Sequence, residues 1–590
     1  MAYDSSLRAM RWCMNRIEST GGVIGFITNG SFLDSAIGKG VRKTIAKEMS
    51  AVYVLNLRGD ARTQGETRRT EGGNVFGGGS RVRVCIILMA KKVNTSEDKP
   101  EPCKLYYHDI GDYKSRDEKL SFLRNHADME LIHNIPWKKK SLDDDGNWIV
   151  DLHADFDKFL PLTNDKLRRN IANWSNQRHK PQLQNIPSPQ SNESCFAFCD
   201  LFSRGVETSR DAWACNFSRK KVEQNMKRMV AFYHGEIERM KKSGVKFISD
   251  KDVEKFVHKD GGNIKWTSSL LSSARRGISA EFQTNKIRKH FYRPFAPMYI
   301  YYDSTMNHRV FRTPFLFNKK EENPSICMSG KTSNWGVLAC RDMCGSGFLD
   351  GCAQMLPFYS YASGKRDENI SDYVLKIFHN TYGKKVSKWD IFHYAYGVLN
   401  HPHYKQLFAG NLRYDFATLP MVRTTHFNGF VKSGKKLMDL HMNYENAAEA
   451  KLNRVGDKGR AILTGIEESV SSDITPDGMR FPGGNKNKLQ FNSALILDIP
   501  SKAHEYKICG RSPLEWVVDR YKLHSLEIPN VSGIMNDPKD WEKEQNHPGY
   551  ILSLVKKSVT IGEKSVDIIA ALPPLEYDLK DQPPIPKKEK

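Results

Sequence analysis

Apolar runs that alternate with amphipathic helical patterns fill the first 123 residues, and this alternation constrains the fold more than any other feature. The runs at 22–30, 51–57 and 81–92 are nearly continuously apolar, which is typical of strands buried on both faces of a parallel sheet. Helical patterns precede the first run and separate it from the second. A short strand followed by a capped helix is predicted over 104–123. The chain is therefore predicted to open with an α/β fold.

A change in composition marks the end of this regular part. Residues 136–192 are polar and rich in Asn, Gln, Lys and Pro, as is common where two domains join. Beyond them, short aromatic-rich elements alternate with turns, and we detect no internal repeat. We expect an α/β domain over about 1–150 and a mixed α+β domain over about 165–590.

A strong excess of positive charge indicates an anionic partner. The 590 residues include 90 Lys and Arg against 68 Asp and Glu, which gives a formal net charge of +22. Such a field attracts polyanions, and nucleic acid is the usual partner of so basic a chain. The alternative is a basic surface with no nucleic-acid role.

Other features bear on the compartment and on metals. No apolar run approaches the roughly 18 residues of a membrane span, and no signal peptide precedes the first helix pattern. We expect a cytoplasmic protein without a membrane partner. Cys195/Cys199 and Cys340/Cys344 have a spacing that zinc tolerates. The aromatic residues between Cys195 and Cys199 favour buried free thiols instead, and we expect no metal.

Loops that follow the predicted strands carry the candidate pocket. Thr28, Asn29 and Ser31 come at the end of the first strand, and ligand sites in parallel sheets lie at the carboxyl ends of strands. A basic loop ends the second strand within 55–63. Phe76 stands among glycines in GGNVFGGGS, just before the third strand. An enzyme that turns a base out of the duplex needs an aromatic face on which to stack it, so Phe76 is the candidate for that role.

Successive segments resemble the type ISP, or single-polypeptide type I-like, restriction–modification enzymes. The first part is similar to the second half of their γ-type DNA adenine-N6 methyltransferase, through GGVIGFITNGSFLDS (21–35), LNLRGDART (55–63) and EGGNVFGGGSRVRVCIILMAKK (71–92). Later segments are similar, in order, to their carboxy-terminal specificity domain: YYHDIGDYKSRDEKL (106–120), SRGVETSRDAWACNFSR (203–219), FYRPF (291–295), YYD (301–303), CAQMLPFYSY (352–361), SKWDIFHYAYGVLNHPHY (387–404) and FVKSGKKLMDLHMNYE (430–445).

This resemblance implies a fold, partners and a cofactor. It implies a partial Rossmann-like methyltransferase sheet over 1–150 and a target-recognition domain over 165–590 that binds double-stranded DNA in bacterial phage defence. In that family an upstream region carries a nuclease, a helicase-like motor and the first half of the methyltransferase. That first half holds S-adenosylmethionine and an Asn/Asp-Pro-Pro-Tyr/Phe motif for the adenine amino group. Phe76 would stack on the flipped adenine.

The chain departs from the family in lacking that motif. Its Pro-Pro pairs at 573–574 and 583–584 are preceded by Leu572 and Gln582, where the motif has Asn or Asp, and neither pair has an aromatic directly after it. We therefore expect no catalytic residue in this chain, which would recognise DNA and support methylation together with an upstream polypeptide. S-adenosylmethionine would bind the complete enzyme and not this chain alone. The alternative is a stand-alone DNA-binding module or an inactive fragment.

Three further patterns have competing interpretations. DMCGSGFL (342–349) is similar to a loop that cradles S-adenosylmethionine, and a permuted complete enzyme could use it, but a turn is favoured. SGKTS (329–333) ends like a phosphate-binding loop. That loop requires a glycine five residues before Gly330, where this chain has Ser325. His393, His401 and His403 have no acidic or Cys partner in helical register, which favours packing over metal binding.

Basic residues of the second domain are the candidates for contact with DNA. Arg pairs with guanine through two hydrogen bonds, and Lys neutralises phosphates. The candidates are Arg210, Arg219, Lys220, Lys221, Arg275, Arg276, Arg293 and Arg309. For each residue alone, a solvated surface position or a structural ion pair competes with this role, and Arg293 within FYRPF has a possible structural role.

Overall fold

Two compact units make up the protein. The computed structural model describes residues 4–63, 65–93, 101–127, 133–142, 146–163, 198–318, 321–455, 461–462, 478–492, 495–522 and 534–583. Unit 1 comprises Met1–His153 with Phe408–Tyr414, and unit 2 comprises Ala154–Leu407 with Asp415–Lys590. Within those described ranges, no helix combines the length and apolarity needed to cross a bilayer.

Unit 1 is an α/β unit built on one five-stranded sheet. A capping box between Ser115 and Glu118 begins the helix predicted after the fourth strand. The strands are β1 (Gly22–Asn29), β2 (Ala51–Arg58), β3 (Val84–Lys91), β4 (Lys104–Asp109) and β5 (Lys138–Lys140), and the helices are α1 (Ser5–Arg16), α2 (Lys39–Glu48), α3 (Gly65–Glu71), α4 (Arg116–Asn125) and the returning helix Ala409–Tyr414.

The sheet is mixed, which corrects the expectation of a parallel sheet. Its strand order is β1-β3-β2-β4-β5. The central strand β3 runs antiparallel to both β1 and β2, whereas β2 and β4 are parallel. The prediction went wrong because a run of apolar residues records burial and carries no information on strand direction.

Strand β1 is buried on one face only, which corrects a second expectation. Within the part of the chain that the structure describes, β1 pairs with β3 alone and forms an edge of the sheet. Helices α1 and α2 cover the face that includes Ile24. On the other face, α4 packs against β2 and β3, and its Phe122 stacks on His108 of β4. Val23 and Ile27 of β1 are 73% and 62% exposed. Apolar side chains therefore stand in solvent along this edge.

A buried carboxylate connects the end of β1 to the returning helix. Asp34 accepts a hydrogen bond at 2.7 Å from Arg83, which donates a second one to the same carboxylate. Arg413 of the returning helix donates to Asp34 as well. Burial opposes the charge on Arg83, but its bonds to Asp34 raise the pKa of this guanidinium above the usual value. Residues distant in sequence are thus tied to one point of unit 1.

Unit 2 is a mixed α+β unit, and the predicted fold class is confirmed. Its strands are β6 (Leu160–Pro161), β7 (Ser203–Arg204), β8 (Cys215–Asn216), β9 (Ile287–Arg293), β10 (Ala296–Tyr301), β11 (Ser325–Met328), β12 (Val337–Cys340), β13 (Gln354–Pro357), β14 (Tyr359–Ser360), β15 (Asp367–Glu368), β16 (Thr418–Leu419), β17 (Arg454–Val455), β18 (Ala461–Ile462), β19 (Lys488–Gln490) and β20 (Ile496–Asp498). Its helices are α5 (Asp211–Ala214), α6 (Arg219–Lys242), α7 (Asp250–Phe256), α8 (Ser268–Arg275), α9 (Thr313–Leu316), α10 (Asp372–Tyr382), α11 (Lys388–Asn400), α12 (Pro402–Leu407), α13 (Thr424–Met442), α14 (Pro513–Tyr521), α15 (Lys539–Glu544) and α16 (Tyr550–Ala570).

Small antiparallel sheets and a close helix pair form the interior of unit 2. The main sheets have the orders β8-β10-β9, β12-β11-β13-β7 and β18-β17-β20-β19. Helix α11 is buried from Ile391 to its end and crosses α13 at two glycines. A Cβ atom on Gly397 would lie 2.8 Å from the carbonyl oxygen of Phe430, and one on Gly434 would lie 2.0 Å from that of His393. Only glycine permits this approach.

Replacing Asp34 by Ala tests the buried carboxylate. The change leaves Arg83 and Arg413 without their counter-charge, and breaking a buried pair costs about 3–5 kcal/mol. We expect the free energy of unfolding of unit 1 to fall by that amount, measured by hydrogen exchange of β2 amides over a urea series. Asp117→Ala is the control, because this carboxylate is 92% exposed and its loss should change stability by less than about 1 kcal/mol. Equal effects would contradict the role of Asp34.

Candidate nucleic-acid interface

The loops with the predicted pocket residues lie at one edge of the unit 1 sheet. Asn29 at the end of β1 pairs with Val84 at the start of β3, and Arg58 at the end of β2 pairs with the same residue. Asn56 near the end of β2 is in register with Asp109 at the end of β4. The carboxyl ends of β1, β2 and β4 and the amino end of β3 therefore meet, although the sheet is mixed.

The three predicted pocket residues have different surroundings. The Asn29 carboxamide oxygen accepts hydrogen bonds from the amide of Ser31 at 3.0 Å and from its hydroxyl at 2.7 Å. Arg62, from the loop after β2, donates to the Ser31 hydroxyl at 3.2 Å. Thr28 is buried, and its hydroxyl has no hydrogen-bond partner among the described residues. Asn29 and Ser31 thus shape the loop, while Thr28 lies beneath it.

Charged side chains join β2 to β4 at the same edge. Arg58 donates to Asp109 at 2.6 Å and also to Asp112. Asn56 and Tyr107 each donate to the second Asp109 oxygen at 2.9 Å. Burial alone raises the pKa of the Asp109 carboxyl, but Arg58 and its hydrogen bonds hold that pKa below the usual value. Both oxygens of this carboxylate accept hydrogen bonds from neighbouring groups, so Asp109 anchors the edge.

Phe76 is presented to solvent from a loop that is tied to the rest of this edge. Its ring is 57% exposed, and its amide donates to the Asn74 side chain at 3.0 Å. Asn74 in turn donates to the carbonyl oxygens of Gly59 at 3.0 Å and Val82 at 2.8 Å. The loop is thereby connected to the one after β2, and through Arg62 to Ser31. The structure brings Phe76 together with the predicted pocket loop.

Sequence reasoning missed a second exposed aromatic residue here. Tyr113 is 60% exposed and has a positive φ of 61°, a conformation that is uncommon outside glycine. Its amide donates to the Thr70 carbonyl oxygen at 3.1 Å, and the next carbonyl, of Lys114, accepts from Gly73 at 2.9 Å. The available signal was an aromatic residue in the loop that follows the strand end at Asp109, in the segment YYHDIGDY.

Arg210 lies inside unit 2. It is 1% exposed and donates to the carbonyl oxygen of Met306 and, at 2.6 Å, to the Thr267 hydroxyl. Burial lowers the pKa of Arg210 to about 10. A guanidinium enclosed in this way holds the loop at Met306 in place. This burial argues against contact between Arg210 and DNA.

The other basic candidates except Arg309 fall into two groups. Arg219, Lys221 and Arg293 have partners within unit 2: Arg219 donates to the Ile287 carbonyl oxygen at 3.3 Å, Lys221 pairs with Asp540 at 2.5 Å, and Arg293 donates to the Tyr292 carbonyl oxygen at 2.7 Å. Lys220, Arg275 and Arg276 are exposed, at the start of α6 and the end of α8. Their charges face solvent, although Arg275 also pairs with Asp250 at 2.8 Å.

Arg309 and one arginine that sequence reasoning missed are half-buried. The Arg309 backbone pairs with Glu207, and its Nε atom has no hydrogen-bond partner among the described residues. The guanidinium carbon of Arg204 lies 4.9 Å from the Phe311 ring centroid. The buried Nε atom of Arg204 likewise has no hydrogen-bond partner among the described residues. The signal for Arg204 was its place beside Gly205 in the segment SRGVETSR.

The two ligand-loop patterns are turns. The amide of Gly345 donates to the Phe291 carbonyl oxygen at 3.0 Å, and that of Ser346 donates to Val206 at 2.8 Å. With these amides engaged, 342–349 does not fit the carboxylate or ribose of S-adenosylmethionine. In 329–333, a Cβ on Gly330 would lie 2.0 Å from the Gly351 carbonyl oxygen, so the backbone itself fills the space that a phosphate would need.

The histidines and cysteines agree with packing roles. His393 stacks on Trp389 with ring centroids 5.4 Å apart, and a ring nitrogen of His401 lies 3.2 Å from the Pro573 carbonyl oxygen. Cys199, Cys340 and Cys344 are buried free thiols, whereas Cys195 lies outside the described residues. In the described ranges, no three His, Cys, Asp or Glu side chains are grouped so as to hold a metal ion.

Comparison with known proteins decides the family. The model of the Type ISP C-terminal specificity domain matches residues 197–554, which is more than half of the chain. The chain belongs to this family. The resemblance to type ISP enzymes is therefore confirmed. A comparison with curated proteins gives no match.

Solved structures extend the likeness beyond the specificity domain. A nuclease-deletion mutant of the Type ISP restriction-modification enzyme LlaGI, in complex with a DNA substrate mimic, is 31% identical over 98% of this chain, with a TM-score of 0.76. The ATP-dependent Type ISP enzyme LlaBIII bound to DNA is 26% identical over 98%, with a TM-score of 0.73. The DrdV–DNA complex is 27% identical over 97%, with a TM-score of 0.71. This chain spans 48%, 34% and 52% of those three chains.

Proposed function

We propose that this protein recognises a duplex DNA sequence and supports adenine-N6 methylation within a bacterial Type ISP restriction–modification enzyme. Residues 165–590 would form the target-recognition domain, and residues 1–150 the distal half of the methyltransferase. One observation carries the proposal: the similarity to LlaGI, solved with a DNA substrate mimic, extends over 98% of this chain and thus includes both parts. A DNA-binding module with no part in methylation is the competing function, and reconstitution of methylation decides between them.

Charge and exposure support DNA as the partner of unit 2. The formal net charge of +22 draws polyanions towards the protein. Lys220, Arg275 and Arg276 are exposed and are therefore accessible to phosphates. Arg204 is better suited to a base edge, because its guanidinium lies over the Phe311 ring and a rigid donor pair discriminates between bases. Arg309 is half-buried and is the second candidate for such a contact.

Binding to duplex DNA should weaken steeply as salt increases, because neutralised phosphates release counterions. We expect Lys220→Met combined with Arg275→Met and Arg276→Met to reduce the slope of log affinity against log salt by about one for each lost phosphate contact. Fluorescence anisotropy with a mixed-sequence duplex measures this. Arg423→Met is the control, because Arg423 is paired with two carboxylates, Glu576 at 2.8 Å and Asp578 at 3.4 Å. An affinity that does not change with salt would contradict a basic DNA face.

The exposed edge strand β1 of unit 1 is an argument for a second partner, which would be another polypeptide. An edge strand exposes unpaired backbone groups that can accept another strand, and β1 adds the exposed Val23 and Ile27. The part of LlaGI outside the match makes up about half of that enzyme. We propose that the corresponding polypeptide, with nuclease, helicase-like motor and first half of the methyltransferase, packs on this edge and extends the sheet.

Ile27→Lys should prevent that assembly. A buried lysine without a counter-charge is strongly unfavourable at a strand interface, whereas in the isolated chain Ile27 already faces solvent. We expect the variant to fold and to bind DNA normally, but not to co-purify with the polypeptide encoded directly upstream. Lys104→Met, on the exposed side of β4, serves as the control. Absence of an upstream methyltransferase gene segment, or unchanged co-purification, would contradict the partner proposal.

The same partner would bring the S-adenosylmethionine site. The loop at 342–349 does not fit the cofactor, because its amides are engaged. When bound to the partner, the cofactor supplies the methyl group, and this chain contributes a surface that receives the adenine. Phe76 at the sheet edge would provide an aromatic face for that base, next to the loop of Asn29 and Ser31.

Phe76→Ala tests the stacking role. Base–aromatic stacking contributes on the order of 1–3 kcal/mol, so we expect methylation by the reconstituted complex to slow roughly ten- to a hundredfold. Sequence-specific binding and the melting temperature should hardly change, because the ring is already exposed. Phe76→Trp should retain much of the activity. Unchanged methylation in Phe76→Ala, or a fall in melting temperature like that of a core truncation, would exclude the role.

A further inference from the structure

The loop that carries Phe76, here called the glycine loop (71–79), is packed tightly at its beginning. Gly72 has a φ of +65°, and a Cβ atom there would lie 2.1 Å from the Lys114 carbonyl oxygen. A Cβ on Gly73 would lie 2.5 Å from the amide nitrogen of Arg116. These glycines therefore allow the loop to lie directly on the start of α4. Gly72 and Gly73 are therefore needed because the loop approaches α4 closely, and not because the loop must be flexible.

Lys119 of α4 is hydrogen-bonded to the beginning of the glycine loop. It is fully buried in the first turns of α4, and its ammonium donates to the carbonyl oxygens of Glu71 and Gly73, each at 2.8 Å. A fully buried lysine is rare unless its charge is compensated. Here the ammonium is stabilised by hydrogen bonds to two main-chain carbonyl oxygens. Hydrogen bonds from an ionised donor are about twice as strong as neutral ones, so these two bonds join the loop firmly to the helix.

Two more side chains fix the residues next to Phe76. Arg116, one turn before Lys119 on α4, donates to the Val75 carbonyl oxygen at 3.2 Å. The Asn74 side chain accepts from the Phe76 amide, and the Gly77 amide donates to the Asn74 carbonyl oxygen at 2.9 Å. Every residue from 71 to 77 thus makes a polar contact or a close packing contact.

The other end of the glycine loop is open. No described atom lies within 4 Å of a Cβ built on Gly78 or Gly79, and the Phe76 ring is exposed. The loop is therefore immobilised where it meets α4 and unobstructed where the ring points outward. That arrangement suits a surface that receives a ligand.

We propose that Lys119 is a positioning residue, which fixes the glycine loop so that Phe76 is preorganised to stack on an unstacked base. The inference rests on the proposed stacking role of Phe76. A site whose groups are already in place loses less conformational entropy when its ligand arrives. A purely structural position in this core could be filled by Met or Leu, which would pack equally well and make no bond to the loop.

The charges around Lys119 are consistent with this role at neutral pH. Burial lowers the pKa of Lys119 to about 8. Glu71 and Asp109 favour the charged form, whereas Arg58 and Arg68 oppose it. With this pKa the ammonium is charged at pH 7, so both carbonyl oxygens are bonded to a cation under ordinary assay conditions.

Hydrogen exchange of the full 590-residue chain at pH 7 tests the inference without DNA. In Lys119→Met we expect the hydrogen-bonded amides of Gly72, Gly73, Phe76 and Gly77 to exchange about ten- to a hundredfold faster, while β2 amides keep their rates. Lys119→Gln retains two N–H donors and should show an intermediate increase. Lys114→Met, an exposed lysine paired with Glu118 at 3.2 Å, is the matched control. Unchanged loop exchange, or equal acceleration throughout unit 1, would overturn the proposal.

A mutant cycle with Phe76 separates positioning from general support. If Lys119 acts through Phe76, Lys119→Met slows methylation by the reconstituted complex roughly tenfold but adds nothing in a Phe76→Ala background, because coupled residues are not additive. Additive losses would overturn the positioning role. If Phe76→Ala alone has no effect on methylation, the stacking proposal fails and with it the purpose assigned to Lys119, while the exchange data still decide whether Lys119 holds the loop.

Discussion

The antiparallel placement of β3 between β1 and β2 is the constraint on which the arrangement of unit 1 depends. Because β2 and β3 run in opposite directions, the connection from 59 to 83 begins and ends at the same edge of the sheet. That connection contains α3 and the glycine loop, so neither has to cross a face of the sheet. The strands β1 and β4 also end at this edge. Strand direction alone therefore gathers the candidate loops.

Buried charge then gives that edge its fixed shape. Asp34, Asp109 and Lys119 are each bonded to partners from other segments of unit 1. Replacement of such groups by apolar residues is often neutral for stability, so stability alone does not explain them. Asp34 and Lys119 each tie a loop to a helix, and Asp109 joins β4 to β2. These three charges are paired internally, whereas the Phe76 side chain is exposed together with charged side chains such as those of Arg62 and Asp112. The edge therefore presents both an aromatic face and charge to solvent.

Sequence patterns predicted which segments of unit 1 form strands and helices. They failed for properties that depend on the neighbouring elements in space, such as strand direction and edge position. Periodicity located the strands and the capped helix, because apolar spacing follows from local geometry. The same pattern could not show that β1 lies at an edge, since Val23 and Ile27 are apolar whether or not a partner covers them. Nor could composition distinguish the buried Arg210 from the exposed Arg276. The segment 408–414 meets unit 1 through contacts such as Arg413 with Asp34 and Asn411 with His153, and no local pattern encodes contacts so distant in sequence.

The two units expose surfaces of different chemistry, and this difference argues for two kinds of partner. A basic surface attracts an anion at long range, and its attraction is screened by salt. An apolar sheet edge acts only on contact and is otherwise a site of unwanted pairing, which proteins usually protect with charge or cover. The exposed positions 23 and 27 of the edge strand β1 hold Val and Ile, which give the edge no protection by charge. An unprotected edge is tolerable in a protein whose edge is covered in its working state, and a polypeptide strand covers it better than DNA, because only a strand satisfies both its backbone groups and its apolar side chains.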